Sequence, residues 1–286
     1  MKDYLQLHFI VLLFGFTAIL GKIISIDATN LVAYRMLLAA FGLGIYAHFS
    51  GKFKVIPIKT LAAIIGVGAI VALHWITFFG AVKVSNVSVT LGSLASGTLF
   101  TSILEPLVER RRISALEVII GIAIIIGLYI ITTFAFDYYL GIILALISAF
   151  LASVFGVLNR QLTQKYDAIL ISFYEMLAGF VLIALYFSCT GGLSLPNTLS
   201  HIDIISLLVL AWLCTSYAFA GTVHLLKRLS AFTVSLAINM EPIYGILLAY
   251  FIFGESEKMN VGFYIGAGII LLSIFLHPIL KKRYNQ

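Results

Sequence analysis

Charged residues are scarce in this sequence: 10% of its 286 residues are Asp, Glu, Lys or Arg, against about 25% in soluble globular proteins. Hydrophobic residues make up 62% of the chain, and its mean hydropathy is +1.10. This shortage excludes an ordinary soluble fold, and we predict an all-α integral membrane protein. The net charge of +6 does not indicate a nucleic-acid partner, because the basic residues form short clusters between apolar runs.

Cysteine is equally rare. Cys189 and Cys214 both fall in apolar segments, where a buried, inert thiol is the expected state. The six histidines contain no i,i+4 pair of the kind that holds a metal ion. We therefore predict no disulfide, no metal site and no cofactor. Residues 15–22 imitate a phosphate-binding loop, but their spacing is wrong and they lie in an apolar run, which argues against an ATPase.

Long apolar runs are what the sequence has in abundance. A membrane-spanning helix needs about 20 mostly apolar residues, and ten such runs are present, the first of which we interpret as a retained helix and not a signal peptide. The predicted spans are residues 5–24, 30–49, 60–81, 85–107, 115–134, 138–158, 168–189, 204–225, 230–253 and 261–280.

Basic residues are distributed unevenly over the connections between these spans. If the N-terminus lies in the cytoplasm, the cytoplasmic segments hold 14 Lys and Arg residues, and the outer segments hold three, Lys22, Lys83 and Lys258. The positive-inside rule then predicts that both termini are cytoplasmic. This orientation requires an even number of spans.

One span has a centre that is unsuited to lipid. Asn239, Glu241 and Pro242 lie near the middle of residues 230–253. A carboxylate at that depth costs about 3 kcal/mol or more unless it faces protein or water, and proline removes a backbone donor. Such interruptions are tolerated where they are buried in protein or line a wet cavity.

An earlier span, within residues 84–109, resembles this one. When Glu109 is placed under Glu255, Ser96 lies opposite Pro242. Five spans precede the midpoint and five follow it, so the two copies would insert in opposite orientations. Inverted repeats with broken helices near the midplane are typical of secondary transporters.

Two five-helix repeats, each with a polar fourth helix, an acidic residue and a Gly-rich fifth helix, resemble the EamA-like branch of the drug/metabolite transporter superfamily. The repeats would comprise residues 1–135 and 136–286. The resemblance implies export of small metabolites, often amino acids, across a bacterial inner membrane. The residues that carry it are Asn86, Glu109 and Gly121 in the first half, the run from His74 to Phe79, and Ser230, Ala231, Glu241, Pro242, Gly254, Glu255 and Gly266 in the second half.

Glu241 leads the candidate substrate-binding residues, because a mid-membrane carboxylate can bind a substrate amine or carry a coupled proton. A structural carboxylate bonded to a neighbouring helix is the alternative. His74 and Trp75 would suit a cationic or aromatic substrate, whereas small polar residues can also serve close helix packing. The full predicted substrate-binding set is Glu241, Asn239, Ser96, Ser93, Trp75, His74 and Tyr244.

Arg35 and Glu175 occupy equivalent positions in the two repeats and are predicted gate or coupling residues. The predicted orientation puts both at shallow depth on opposite sides of the membrane, so we do not expect them to pair. Arg35 is expected to snorkel outward, and Glu175 to reach cytoplasmic water.

The sequence therefore predicts a secondary transporter, not an enzyme, that exports small metabolites by alternating access. The expected partners are a small-molecule substrate, the lipid bilayer and protons, and the chain would act as a monomer or homodimer. A lipid-carrier flippase is the alternative within transport. An intramembrane enzyme would need a second catalytic group beside Glu241, and a structural membrane subunit would not explain that residue.

Overall fold

The computed structural model describes residues 2–110, 115–190 and 199–284, and within these ranges it is helical without any β-strand. The predicted all-α class is confirmed. Arg111 and Arg112, two of the predicted cytoplasmic basic residues, lie outside the described residues. The helices are α1 (Lys2–Ile23), α2 (Ala28–Phe49), α3 (Ile58–Val84), α4 (Val87–Leu94), α5 (Gly97–Glu109), α6 (Ala115–Phe134), α7 (Tyr139–Thr163), α8 (Ala168–Thr190), α9 (His201–Ala211), α10 (Ala218–Leu225), α11 (Ala231–Ile238), α12 (Glu241–Phe253) and α13 (Val261–Tyr284).

Eight helical segments of the described chain are long and apolar enough to cross a membrane. The apolar parts of α6 and α13, Val118–Phe134 and Val261–Ser273, are shorter. Large apolar side chains such as Phe41, Leu107 and Phe251 point outward, where lipid would cover them. The chain is a multi-pass membrane protein. The eight segments are Lys2–Ile23, Ala28–Phe49, Ile58–Val84, Val87–Glu109, Phe136–Thr163, Ala168–Thr190, His201–Leu225 and Ala231–Glu257.

Two of these segments are interrupted in the same way. Helices α4 and α11 each have 8 residues, helices α5 and α12 each have 13, and two residues separate each pair. The predicted break near Pro242 is therefore present. The proline lies in the first turn of α12, where its missing N–H has no helical partner to lose. The break between α4 and α5 contains no proline.

Aligning the two breaks gives a different register from the one predicted from the sequence. Pro242 then corresponds to Thr98, whereas the alignment of Glu109 with Glu255 placed it opposite Ser96. The predicted alignment matched Glu109 with Glu255, but these residues lie at different points of their helices. Glu109 is the last residue of α5, whereas Glu255 lies beyond the end of α12. A positive φ of 61° at Gly254 ends α12 before that residue.

Helices α6 and α13 pack against each other through glycine, and none of their described residues lines the internal cavity of the bundle. A Cβ added at Gly266 would lie 2.7 Å from the carbonyl oxygen of Gly127. A Cβ added at Gly268, half a turn away, would meet nothing within 4 Å. The two backbones can approach this closely because neither glycine has a side chain.

This contact predicts opposite outcomes for two alanine substitutions. Gly266→Ala should lower the free energy of unfolding by about 1–3 kcal/mol, because backbone atoms must move apart. Gly268→Ala should be neutral or slightly stabilising, since alanine favours a helix over glycine by up to about 1 kcal/mol. Thermal unfolding in detergent measures both, and equal effects would contradict the close approach.

Candidate functional site

A cavity of about 130 Å³ lies inside the bundle, bordered by both helix interruptions. A single ordered water needs roughly 10–15 Å³ by the same measure, so the cavity has room for a small molecule. Its wall is mainly apolar, and its charged residues, among those the structure describes, are Arg35 and Glu241. The aromatic part of the wall comprises Phe14, His74, Trp75, Phe78, Phe155 and Phe219.

Arg35 is buried, with 1% of its surface exposed, so the expected outward snorkelling is wrong. Its guanidinium lies 3.8 Å from the centre of the Trp75 ring, and its Nε donates to Thr215 Oγ1 at 2.6 Å. Nη2 lies 3.4 Å from the Cys214 carbonyl oxygen. These contacts offset part of the cost of burying the cation. Nη1 has no hydrogen-bond partner among the described residues and can donate to a ligand.

The acceptor for Arg35 is positioned by a π-helical turn, Trp212–Tyr217, between α9 and α10. The hydroxyl of Thr215 donates its only proton to the carbonyl oxygen of Leu210 at 2.7 Å. Its lone pairs are then left to accept from Arg35. Such turns occur frequently at functional sites, and no residue pattern in the sequence predicted this one.

Glu241 is the first residue of α12 and faces the cavity. Within the described part of the chain its carboxylate has no hydrogen bond or ion pair. The unpaired N–H groups at the start of α12 favour a negative charge there, and Arg35 attracts it across the cavity. The geometry therefore gives no support to the alternative of a carboxylate bonded to a neighbouring helix.

Asn239 lies in the second interruption and joins it to the first half of the chain. Its side-chain amide donates to Thr98 Oγ1 on α5 and to the Ser235 carbonyl oxygen at 2.9 Å. Both donors are thereby used within the protein. Asn239 also lines the cavity, where its carbonyl oxygen can accept a hydrogen bond from a ligand.

His74 and Trp75, both on α3, also line the cavity. Nδ1 of His74 lies 2.9 Å from the carbonyl oxygen of Ser148. The hydroxyl oxygen of Ser148 lies 2.8 Å from the same nitrogen, and the two contacts hold the ring in place against α7. The Trp75 ring lies edge-on to Phe219, with 5.6 Å between the ring centres, and its face remains available to the guanidinium of Arg35.

Three predicted residues, Ser93, Ser96 and Tyr244, do not line the cavity. Ser93 lies on α4, which packs against α7 and α12, and Ser96 lies in the break before α5. The hydroxyls of both serines are buried without a hydrogen-bond partner among the described residues. Tyr244 lies nearly one turn beyond Glu241 and borders a groove with Tyr217 on the surface of the bundle.

Glu175 is fully buried and is not part of the cavity wall, so the expected access to cytoplasmic water is wrong. Asn159 donates to one of its carboxyl oxygens at 3.4 Å, and the other has no partner among the described residues. Helices α3 and α8 exclude water here by close contact. A Cβ at Gly68 would lie 2.6 Å from the Glu175 carbonyl oxygen.

Several residues of the wall were not singled out in the sequence. The polar and aromatic residues of their helices do not recur with a helical period, so the sequence does not indicate which of them face the interior. Aromatic residues make up 13% of the chain, so an aromatic side chain alone does not mark a site. Ser153 gives one example: its hydroxyl contacts the carbonyl oxygens of Gly97 at 2.8 Å and Ala149 at 2.9 Å. The residues missed include Phe14, Thr17, Ser153, Phe155, Phe219 and Thr222.

Known proteins resemble this chain over nearly its whole length. A family model described as "EamA-like transporter family" matches residues 2–133 and 139–277. Two relatives from Archaeoglobus fulgidus, both named "Uncharacterized transporter", are 24% identical over 99% of this chain and 100% of the relative, and 21% identical over 96% of each. A solved crystal structure aligns with a TM-score of 0.72 and 16% identity over 98% of both chains, which indicates the same fold.

The support that Thr215 gives to Arg35 predicts a stability difference between two isosteric substitutions. Thr215→Val should lower the free energy of unfolding by about 1–3 kcal/mol, because a buried charged donor loses its acceptor. Thr222→Val should cost less than about 0.5 kcal/mol, since its hydroxyl bonds only the Ala218 carbonyl oxygen of its own helix. Thermal unfolding in detergent compares them, and a smaller loss for Thr215→Val would contradict this arrangement.

Proposed function

This chain belongs to the EamA-like transporter family, and on that premise we propose that it is a secondary transporter that exports small zwitterionic metabolites, such as apolar or aromatic amino acids, from the cytoplasm by alternating access. One observation carries the proposal. One apolar cavity contains a cation with an unused donor, Arg35, and a carboxyl group, Glu241, that has no hydrogen bond or ion pair among the described residues.

The two charges match the two ends of an amino acid. A substrate carboxylate would accept from Nη1 of Arg35, and a substrate ammonium group would pair with Glu241. Neither substrate charge would be buried without an opposite charge, which keeps the cost of removing both from water low. The aromatic wall, including Phe155 and Phe219, favours an apolar or aromatic side chain.

For the architecture we propose ten spans, with residues 1–135 and 136–286 as inverted repeats and α6 and α13 as the fifth and tenth spans. The proposed repeats match α1 with α7, α3 with α10, and α5 with α12, and the helix packing supports this correspondence. Helix α1 packs against α12 as α7 packs against α5, and α3 packs against α7 as α10 packs against α1. The matched lengths of the broken helices and the two segments matched by the family model add support.

The symmetry does not extend to the charge in the cavity. Gly97 begins α5 at the position where Glu241 begins α12. The cavity therefore contains one site for a substrate amine, formed by the second repeat. If transport is coupled to protons, Glu241 is the residue we propose to carry them, because it can exchange a proton for the substrate amine.

We propose a bacterial inner membrane location with both termini in the cytoplasm, supported by the distribution of basic residues. The end of the bundle with Lys22 then faces outward, and the end with Arg160 faces the cytoplasm. The cavity is built within one chain, so a monomer suffices for transport, and a homodimer would contain two separate pathways.

The export proposal predicts that Glu241→Gln abolishes protection of cells against a toxic substrate. Wild type, Glu241→Gln and the control Glu255→Gln are expressed in a host that lacks related exporters. The control removes an exposed carboxylate that pairs with Lys258, at 3.3 Å, and with no other cation among the described residues. Growth and intracellular levels are measured with amino acids, their analogues, nucleosides and cationic drugs. Wild type and the control should lower the level of one compound class at least about tenfold relative to Glu241→Gln.

Two results would count against this proposal. Equal protection by wild type and Glu241→Gln would remove Glu241 from the transport pathway. If both proteins are present in the membrane and neither lowers the level of any compound, export is contradicted and a flippase becomes the better account. Turnover of a compound by purified protein in detergent would instead favour an intramembrane enzyme.

The zwitterion proposal predicts that affinity needs both ends of the substrate. An amino acid, its methyl ester and its decarboxylated amine are compared by ligand-induced thermal shift of the purified protein. Loss of the carboxylate should weaken binding to wild type about 10- to 100-fold. Arg35→Lys, which keeps the charge and loses the planar fork, should reduce this discrimination. Equal affinity for amine and amino acid would contradict carboxylate recognition by Arg35.

A further inference from the structure

The N-terminus of α4 binds a carboxylate from the other end of the sequence. Glu257 accepts from the backbone N–H groups of Val87 at 3.2 Å and Ser88 at 2.9 Å. The hydroxyl of Ser88 donates to the same carboxylate at 2.9 Å, and Lys22 Nζ lies 2.6 Å from it. We call these four residues the Lys22 cluster. They tie α1 and α4 of the first half to the segment after α12.

The N-terminus of α11 is bound in the reciprocal way. Glu105 accepts from the backbone N–H groups of Ala231 at 2.7 Å and Phe232 at 3.2 Å. Arg160 Nε lies 3.5 Å from the same carboxylate and 3.0 Å from Glu109. We call Glu105, Ala231, Phe232 and Arg160 the Arg160 cluster. They tie α7 and α11 of the second half to α5.

Helix capping does not account for these carboxylates. Local side chains already cap both helices: Asn86 accepts from the N–H of Val89 at 2.8 Å, and Ser230 accepts from that of Thr233 at 3.0 Å. A single local cap is the usual arrangement at a helix start. The added carboxylate in each case comes from the opposite half of the chain, so it fastens the halves to each other.

The two clusters lie at opposite ends of the bundle. Lys22 is at the C-terminal end of α1 and Arg160 is near the C-terminal end of α7, the first helix of each proposed repeat. The cavity lies between them, with α5, α11 and α12 as part of its wall. Both clusters are formed in this conformation, so the halves are fastened together on both sides of the cavity.

We propose that the Lys22 and Arg160 clusters are the two gates of the transporter, which open alternately, and that Glu257 and Glu105 are their positioning residues. The inference rests on the proposed function, since only alternating access requires two such gates. Each contains a carboxylate, a cation and two helix N–H groups. Ser88 adds a hydroxyl to the Lys22 cluster, and Glu109 adds a second carboxylate beside Arg160. Because both gates are held by the same kinds of charge-assisted bond, the protein can open either one. When a gate opens, water at that membrane surface can hydrate the separated charges.

The test measures access to the cavity from each side of the membrane without any substrate. Cys189 and Cys214 are replaced by serine and alanine, and Ala152, a small residue of the cavity wall on α7, becomes a reporter cysteine. A membrane-impermeant thiol reagent is added to intact cells or to inverted vesicles. The rate of labelling then reports how often the cavity opens to that side.

The two isosteric variants are expected to raise labelling from opposite sides of the membrane. Glu257→Gln should raise labelling from the outer side about tenfold, and Glu105→Gln should do so from the cytoplasmic side, because each loses charge-assisted bonds. Asp3→Asn and Glu255→Gln are the controls at the two ends. They remove a partly exposed carboxylate that pairs with Arg228 at 2.9 Å and an exposed one that pairs with Lys258 at 3.3 Å, and should leave both rates unchanged.

The side from which labelling increases distinguishes gating from loss of structure. If both variants raise labelling from both sides, or neither changes it, the gate proposal is overturned. If the protein has the reversed orientation in the membrane, each variant raises labelling from the other side, and the two variants still act on opposite sides. If Glu257→Gln or Glu105→Gln fails to reach the membrane, Lys22→Gln must raise labelling from the outer side and Arg160→Gln must raise it from the cytoplasmic side.

The outcome is also independent of the substrate. If the two variants raise labelling from opposite sides but the protein exports no compound, the proposed export function is contradicted and the gate proposal is not. Export of a compound without any opposite shift would contradict the gates alone.

Discussion

The cost of burying charge in an apolar interior is the constraint on which the rest of this structure depends. The fold compensates its buried charges in different ways. Arg35 lies on the ring of Trp75 and donates to Thr215, and Glu105 and Glu257 accept from helix N–H groups. Glu241 has no such partner within the described chain. A carboxyl group that faces a cavity without a hydrogen-bond partner can bind a ligand or carry a proton.

The interrupted helices produce the polar groups on which this arrangement depends. A continuous helix bonds its own backbone, so it has nothing to offer a substrate at mid-depth. Each break supplies free N–H groups, and the contact between Asn239 and Thr98 connects the two breaks. The two breaks are therefore in direct contact at the level of the cavity.

Composition and run length were sufficient to predict the helical membrane class, and the rule that mid-membrane charge is costly singled out Glu241. Which way a helix faces was harder to predict. Lipid and protein interior are both apolar, so no periodic pattern marked the inner face, and Ser93, Ser96 and Tyr244 were assigned to a cavity they do not line. The burial of Arg35 depends on Trp75 and on a π-helical turn far away in sequence. The ten-span count and the inverted repeats remain predictions.

The opposite charges of Arg35 and Glu241 also bear on the electrical behaviour of the protein. In the proposed cycle, a cavity with one cation and one anion has no net charge, and the proposed zwitterionic substrate adds none. Moving one elementary charge through 100 mV involves about 2.3 kcal/mol, but an electroneutral cycle neither gains nor loses that energy. Voltage would then do no work on the cargo, and accumulation on either side would follow the concentration gradient alone unless a proton travels with the exchange.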